Sequence, residues 1–390
     1  MFSVEELDVE GKKVLVRVDF NVPLSEGKVA DDKRIRAAMP TIRYLLEKKA
    51  AVILMSHLGK PKGKYAKELS MNQVVSAVEK VLGQKICFSD DCIGEETEKD
   101  AEELKPGDVL LLENLRFHEE EKENAPEFAK SLASLADFYV NDAFGTCHRK
   151  HASVYGVAEH LPSAAGKLVE KELEELGKLN DPEKPFMAVM GGKKVSDKIT
   201  VIKALLRKVD KLLIGGAMAN TFLKALGKDI GKSVFEEDKL ELARELLKDD
   251  KIIIPADVVC AEEVEEGAET KEVDVDSIPA EMMCLDIGEK TIDIFRKELE
   301  KAKTVFWNGT MGVAEIGAFK KGTAEVAKFL AEMDADVVTG GGDTAAAVDD
   351  LGLGDKMTWV STGGGAALKF LEGEELPAIS ALEKSYEKFK

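Results

Sequence analysis

The sequence is short of positive charge. Its 390 residues carry 55 Lys and Arg against 74 Asp and Glu, a formal net charge of −19. A general nucleic-acid or membrane-surface binder needs a basic footprint, so neither partner is expected. Long apolar runs are also missing. Stretches such as Val109–Leu112 and Leu212–Ile214 fall far below the roughly 18 residues of a membrane span. The opening residues, Met1 to Glu6, show neither a basic n-region nor an apolar h-region, so no secretory signal is expected. Cysteine is scarce and irregularly placed, at positions 87, 92, 147, 260 and 284, with no C-x-x-C. This speaks against a disulfide framework or structural zinc and for reduced thiols in a cytoplasmic protein. Gln occurs only at positions 73 and 84 amid abundant Lys and Glu, a bias of heat-adapted chains that the twelve Met and five Cys do not strengthen.

At 44% hydrophobic residues, the chain has enough apolar surface for sizeable cores, and its length suits two or three domains. Short β-branched runs alternate with turns and helical stretches. Strands are expected at Val14–Asp19, Ala51–Ser56, Lys85–Phe88, Asp108–Glu113 and Asp137–Asn141. A second series is expected at Phe186–Met190, Lys211–Ile214, Ile252–Pro255, Thr304–Asn308, Asp336–Thr339 and Thr358–Ser361. Several are unbroken apolar runs, as in parallel strands buried on both faces. Helices are expected at Ile35–Lys49, Ser70–Leu82, Asp197–Lys208, Asp238–Lys248 and Thr323–Met333, with Pro40 implying a kink or a later start in the first. Strand–helix alternation gives an α/β fold, and eleven strands are too many for one open sheet. An amphipathic segment over Leu168–Leu179, followed by a Pro-rich turn, reads as a connecting helix. The expected organisation is therefore two Rossmann-like domains, 1–168 and 185–370, with a hinge over 169–184 and a terminal segment over 371–390. Within the second, Lys271–Val275 alternates and suggests an inserted hairpin.

Ligands of open α/β sheets bind at the carboxyl ends of strands. In the first half those ends carry Asp19-Phe20-Asn21, Ser56 to Lys60, Glu113 to His118 and Asn141 to Thr146. In the second they are rich in glycine: Gly191-Gly192, Gly215-Gly216, Asn308-Gly309, Gly340 to Thr344 and Gly363 to Gly365. Six of nine Arg lie before residue 150 and all five His before residue 161, which suggests an anion site built there. Arg17, Arg36 and Arg43 read equally well as structural ion-pair residues, whereas Arg34, Arg116 and Arg149 read better as anion ligands. Glycine turns before helices read as phosphate seats. Lys194 and Lys198, four apart on a helix expected to begin there, would share one face, and Lys193 would point elsewhere. Asp343 suits either a helix N-cap or a Mg²⁺-phosphate role.

Several signatures are absent: G-x-x-x-x-G-K-[ST], G-x-G-x-x-G after a strand, G-x-S-x-G, H-E-x-x-H and the protein-kinase motifs. No covalent nucleophile stands out. Cations facing one ligand and glycine seats facing another suit direct phosphoryl transfer, which depends on positioning and charge neutralisation. A dehydrogenase or a non-catalytic phospho-ligand sensor on the same scaffold are the competing readings.

The motifs Arg17-Val18-Asp19-Phe20-Asn21-Val22-Pro23, Ser56-His57-Leu58-Gly59, Leu112 to Phe117, Val140 to Gly145, Val195–Lys198, Trp307-Asn308-Gly309, Gly340–Thr344 and Ser361 to Ala366 run in one order along the chain. In this the sequence resembles the phosphoglycerate kinases over essentially its whole length. The resemblance implies reversible phosphoryl transfer between 1,3-bisphosphoglycerate and Mg-ADP, giving 3-phosphoglycerate and Mg-ATP, in a cytoplasmic enzyme expected to be a monomer. It implies that residues 1–168 bind the glycerate, that 185–370 bind the nucleotide, and that 371–390 pack back on the first domain. Asp19, Asn21, His57, Leu58, Gly59, Lys60, Arg116 and Arg149 match substrate positions, and Arg34 matches the catalytic arginine. Lys194 and Lys198 match lysines on the nucleotide phosphates and the group in flight, and Glu315 a ribose contact. Gly341, Gly342, Asp343 and Thr344 match the phosphate and Mg²⁺ turn, with Asp343 as metal ligand, and Gly363 and Gly364 a further phosphate seat. Lys60, Ala217, Cys284, Thr310 and Ala314 depart from the family pattern, chiefly on the nucleotide side.

Overall fold

The computed structural model describes all of residues 1–390, which divide into two compact units: Met1–Glu174 with Glu375–Lys390, and Glu175–Glu374. The helix Lys167–Lys178 carries the boundary along the chain.

The first unit is built on a seven-stranded parallel sheet. Its spatial order is Phe2–Ser3, Ser163–Ala165, Phe138–Asn141, Lys13–Arg17, Ala51–Met55, Val109–Leu112 and Cys87–Ser89. Every residue of Ala51–Met55 and Val109–Leu112 is buried, as their unbroken apolar runs require of strands covered on both faces. The covering helices are amphipathic: Asn72–Leu82 buries Val74, Val78 and Val81, at i, i+4 and i+7. Helix Lys33–Glu47 starts before Ile35 and runs through Pro40, so the later start expected from that proline does not occur. Pro40 lies on the exposed face, where the backbone groups it leaves unbonded reach solvent. Pro377–Phe389 belongs to this unit. Ala378 N–H donates to Cys147 O at 3.2 Å, Ser385 Oγ donates to Leu161 O at 2.9 Å, and Tyr386 lies edge-on to Phe2.

The second unit has a six-stranded parallel sheet in the order Ile252–Ile253, Lys211–Ile214, Phe186–Met190, Thr304–Asn308, Asp336–Gly340 and Trp359–Val360. Phe306 and Trp307 are fully buried there. The hairpin expected near Lys271 is larger than a hairpin. Asp257–Ala261 is the central strand of a three-stranded antiparallel sheet, flanked by Lys271–Asp274 and Met283–Ile287.

In both units the chain reverses its direction of travel across the sheet beside a central strand. Lys13–Arg17 sits between Ala51–Met55 and Phe138–Asn141, and Phe186–Met190 between Lys211–Ile214 and Thr304–Asn308. A crevice opens at the carboxyl ends of strands at such switch points. The polar and glycine-rich sequences fall at these two places.

Candidate functional site

In the first unit the strand-end loops are tied together by side chains. Ser56 Oγ accepts from Phe20 N–H at 2.8 Å, and Asn21 Oδ1 accepts from Gly59 N–H at 2.8 Å. Asn114 clamps three segments: its Oδ1 accepts from Leu58 and Arg116 N–H, and its Nδ2 donates to Leu58 O at 2.7 Å and Leu69 O at 2.8 Å. Glu113 holds the next turn, accepting from Ser70 Oγ and Met71 N–H. On this frame Arg34 donates to Asp19 Oδ2 at 2.9 Å and Asn21 O at 3.2 Å, with its side chain 38% exposed. Arg116 Nη1 donates to Gly59 O at 2.9 Å, while its Nε is buried and has no hydrogen-bond partner. Arg149 is exposed and Lys60 is exposed.

Arg17 lies beneath them, 1% exposed. Its Nε donates to Ser153 Oγ at 2.9 Å and its Nη1 to Val18 O. Its Nη2 lies 3.0 Å from His57 Nδ1. A guanidinium has no acceptor, so Nδ1 must accept and the imidazole proton resides on Nε2. Burial first, then the charges of Arg17, Arg116, Arg149 and Arg34, hold the His57 pKa well below its ordinary value, so the ring is neutral. The same forces take His151 down to about 3, with burial dominant and Arg116 and Arg149 next. Burial, Arg17 and Arg149 lower Arg116 to about 10, which leaves it charged at neutral pH. Glu121 lies close by, fully buried, and accepts from Ser153 N–H at 2.9 Å and Ser153 Oγ at 2.7 Å; burial raises its pKa against the pull of Arg17 and these bonds. The loops thus present concentrated positive charge, with buried N–H donors unpaired at Arg116 Nε and Asn141 Nδ2. That arrangement suits a small polyanion.

Of the expected residues, Asp19, Asn21, Arg34, His57, Gly59 and Arg116 are joined by these bonds or fields, and Arg149 acts on the same ring. Leu58 is a core residue whose backbone is fixed by Asn114. Arg36 forms a two-bond pair with Asp32 at 2.8 Å, and Arg43 caps Val81 O at 2.9 Å, so both are structural. Arg17, Asn114, Glu121, Ser153 and His151 were not nominated for the site. Asn114 stands at a strand end, and His151 closes the polar run Thr146-Cys147-His148-Arg149-Lys150-His151, dense in cationic side chains, so position could have found both.

In the second unit the glycine turns pack backbone against backbone. Gly191 N–H donates to Asn308 O at 2.9 Å, Gly192 N–H to Thr310 O at 3.0 Å, and Gly216 N–H to Met311 O at 2.9 Å. Gly309 has φ of +96°, and a Cβ there would collide with the Gly191 carbonyl and stand 2.6 Å from Lys198 Nζ. Only glycine meets both demands. Lys198 Nζ donates to Gly191 O at 2.7 Å, to Asn308 O at 3.1 Å and to Asn308 Oδ1. Burial lowers its pKa to about 8, against the opposing pull of Asp343 and Asp197. Thr344 Oγ1 accepts from Gly309 N–H at 2.6 Å, and Asn308 Nδ2 donates to Gly340 O at 2.7 Å.

Beside this knot lies a cavity of about 460 Å³. Val234, Val264, Met283, Leu285 and Val313 give it apolar walls, and Gly192, Gly216, Lys193, Glu315 and Asp343 a polar side. Val234 and Val264 are 54% and 46% exposed, apolar surface left open at the cavity. Ala217, Cys284 and Thr310, three of the departures noted above, line it as well. The expectation for the lysines is corrected here. The helix begins at Ile199, with Lys198 as its flanking residue, so Lys194 and Lys198 do not share a helical face. Gly192 to Asp197 form turns, and Lys193 lines the cavity while Lys194 is exposed and outside its lining. Asp343 is the second residue of helix Gly342–Asp350, behind Gly341 at the N-cap, so it does not cap that helix. Gly363 N–H donates to Ser361 Oγ at 3.0 Å, and Gly364 precedes helix Gly365–Leu371.

Comparison with known proteins gives the family. The model of the phosphoglycerate kinase family matches residues 4–374. The chain belongs to the phosphoglycerate kinase family. The phosphoglycerate kinase of Dictyoglomus turgidum is 54% identical over 390 residues, covering 98% of each chain. That of Moorella thermoacetica is 55% identical over 386 residues, covering 97% of this chain and 98% of its own. Among solved structures, the phosphoglycerate kinase of Pyrococcus horikoshii superposes with a TM-score of 0.90 at 36% identity over the full length of both chains. That of Coxiella burnetii gives 0.87 at 41% identity, over 98% of this chain and 99% of its own. Membership brings kinase activity, nucleotide binding and a place in glycolysis, and the two-sheet α/β architecture is that of the family's structures. No helix is long and apolar enough to cross a membrane.

Proposed function

We propose that the enzyme transfers a phosphoryl group reversibly between the acyl phosphate of 1,3-bisphosphoglycerate and ADP, directly and in line, without a phosphoenzyme. The observation that carries this reading is Lys198: a half-buried ammonium held by two carbonyls and an amide oxygen where the strand-end turns meet, beside a cavity sized for a nucleotide. The apolar walls suit a purine, Glu315 a ribose hydroxyl, and the loops at Gly191–Gly192 and Gly341–Gly342 the phosphates. Asp343, exposed on the polar side of the cavity, offers the carboxylate oxygen that Mg²⁺ prefers when it shares its shell with substrate phosphates, so the donor set fits that ion. Bound there, Mg²⁺ neutralises phosphate charge.

In the first unit, the neutral His57 Nε2–H, Arg116 and Arg149 anchor the glycerate's anionic groups, and Asp19 and Asn21 take its hydroxyl and carboxylate region. Arg34, half-exposed and already oriented by Asp19, stabilises the phosphoryl in flight. Lys198 follows the migrating charge from the nucleotide side, and Lys194, on the turn before it, is assigned to the nucleotide phosphates. Transfer requires closure of the two domains, which also excludes the water that would hydrolyse the acyl phosphate. The enzyme works as a cytoplasmic monomer in this reading. A coupled assay of ATP-dependent 3-phosphoglycerate phosphorylation tests it. Absence of turnover with intact nucleotide binding leaves a phospho-ligand sensor instead.

A further inference from the structure

The small antiparallel sheet of the second unit carries a feature that phosphoryl transfer does not use. Strands Asp257–Ala261 and Met283–Ile287 pair so that Cys260 lies opposite Cys284, and the two sulfurs are 3.9 Å apart. Both are free thiols. Cys260 is fully buried in a small core with Val258 and Ile278, and Cys284, 7% exposed, shares that core and is also among the residues that line the 460 Å³ cavity, between Met283 and Leu285. The strand register shifts between Val259 and Cys260, an irregularity that frees the strand from strict pleating beside the pair. Cys284 therefore belongs to the wall of the cavity, and the Cys260 sulfur stands 3.9 Å from its own.

We propose that Cys260 and Cys284 form a dithiol modification site in the cavity wall, which small-molecule disulfides entering the cavity convert to a cross-strand disulfide. Cys284 is the attacking group. The Cys260 S–H donates toward its sulfur, so against the pull of burial Cys284 ionises more readily than an ordinary thiol, while the neighbouring sulfur and burial push Cys260 up. The Cys284 thiolate attacks one sulfur of the reagent RSSR, forming a protein–SR mixed disulfide and expelling RS⁻. Cys260 then gives up its proton and attacks the Cys284 sulfur, expelling the second RS⁻. Two thiols are oxidised by two electrons, and one RSSR is reduced to two RSH. The second step needs the sulfurs to close from 3.9 Å to about 2.05 Å, within reach of side-chain rotation in facing strand residues.

The site is coupled to the cavity's occupant. This part rests on the nucleotide seat proposed above: a bound nucleotide covers Cys284 and slows oxidation, and by reciprocity the oxidised protein binds nucleotide more weakly.

The test uses the full chain with 2-hydroxyethyl disulfide, with and without ADP at a concentration shown to saturate by separate titration. In a Cys87→Ser background, which removes the exposed thiol, free thiols are expected to fall from four to two, the intact mass to drop by two hydrogens, and peptide mapping to find Cys260 joined to Cys284. Cys260→Ala is expected to stop at a stable hydroxyethyl adduct on Cys284, and Cys284→Ser to leave Cys260 unreacted. A mixed disulfide that persists on Cys284 in the native chain, a bond to another cysteine, or no reaction at either thiol overturns the proposal. If the bond forms equally fast with ADP bound, the dithiol site stands, and it is the nucleotide's place in this cavity that is wrong.

Discussion

At the scale of single residues, charge and burial decide what each group contributes. Arg34 is the guanidinium of its cluster that is both oriented and open, so its loss should act on the transition state more than on ligand binding. Arg34→Ala is expected to lower kcat by about 10³-fold or more, the range of arginine fingers, with little change in ADP affinity. A near-normal kcat in the coupled assay would remove it from the mechanism. Lys198 leads to a pH prediction. Its pKa of about 8 in the free protein means that the ammonium is present below that pH and lost above it. Nucleotide phosphates favour the charged form, so binding takes up a proton above pH 8, and ADP affinity should fall as pH rises through that value. Calorimetric titration at pH 7 and pH 9, in buffers of different ionisation enthalpy, detects both effects, and Lys198→Met should abolish the proton uptake. The residues differ in how readable they were. Arg116 and Lys198 follow a strand end and a glycine turn, while Arg34, in the first turn of helix Lys33–Glu47, is marked by the scarcity of arginine in the chain. Glu121 could not be read this way: it sits in Glu119-Glu120-Glu121-Lys122-Glu123, which looks like a solvated acidic face, and only tertiary packing puts one of those carboxylates under Arg17 and Ser153.

At the scale of elements, the strand-end loops are held by side-chain amides and carboxylates rather than by sheet hydrogen bonds. Asn114 is the busiest of these, with four bonds to the backbone of three segments. Asn114→Ala leaves Leu58 and Leu69 carbonyls and two N–H groups without that partner. The expected cost is about 2–4 kcal/mol of stability, together with a raised KM for 3-phosphoglycerate and a smaller change in KM for ATP. Equal changes in both KM values would show a global rather than a local effect. The parallel strands were legible because an unbroken apolar run of four or five residues has few other uses. The three-stranded sheet was legible only as a hairpin: Lys271–Asp274 alternates, but its centre, Asp257–Ala261, follows a proline and pairs with Met283–Ile287 across a long excursion that local pattern does not record. The lysine error has a similar origin. Periodicity extends a helix backwards to Asp197, yet Gly191 and Gly192 must first turn the chain around the Lys198 ammonium, and the residues spent on that turn bring Lys193 rather than Lys194 to the cavity.

At the scale of the molecule, stability depends on buried carboxyls and on the last helix. Burial raises Asp142 to about 7; its Oδ1 accepts from Leu168 N–H at 2.9 Å while its Oδ2 has no partner. An acid raised in the folded state binds more protons there than in the unfolded chain between its ordinary value and 7. Its contribution to stability is therefore largest at low pH within that window and is lost as pH rises through 7, by at most about 1.4 kcal/mol per pH unit. The difference in Tm between the native chain and Asp142→Asn should shift in favour of the native chain on going from pH 8 to pH 5. A difference independent of pH would place the Asp142 titration elsewhere. The helix Pro377–Phe389 closes the first unit from the far end of the sequence. It buries Ala378, Ala381 and Leu382, bonds to Cys147 and Leu161, covers the short strand Ser163–Ala165, and sets Tyr386 edge-on against Phe2. Leu382 alone is worth about 1.5–3 kcal/mol of burial, and the aromatic edge contact about 0.5–1.5 kcal/mol beyond its area. A chain ending at Glu374 loses all of these, a large part of the about 5–15 kcal/mol that holds a domain folded. Amide exchange is expected to accelerate at Phe2–Ser3, Gly156–Glu159 and Ser163–Ala165, the segments this helix covers. Unchanged protection there would mean that the sheet edge closes without its last helix.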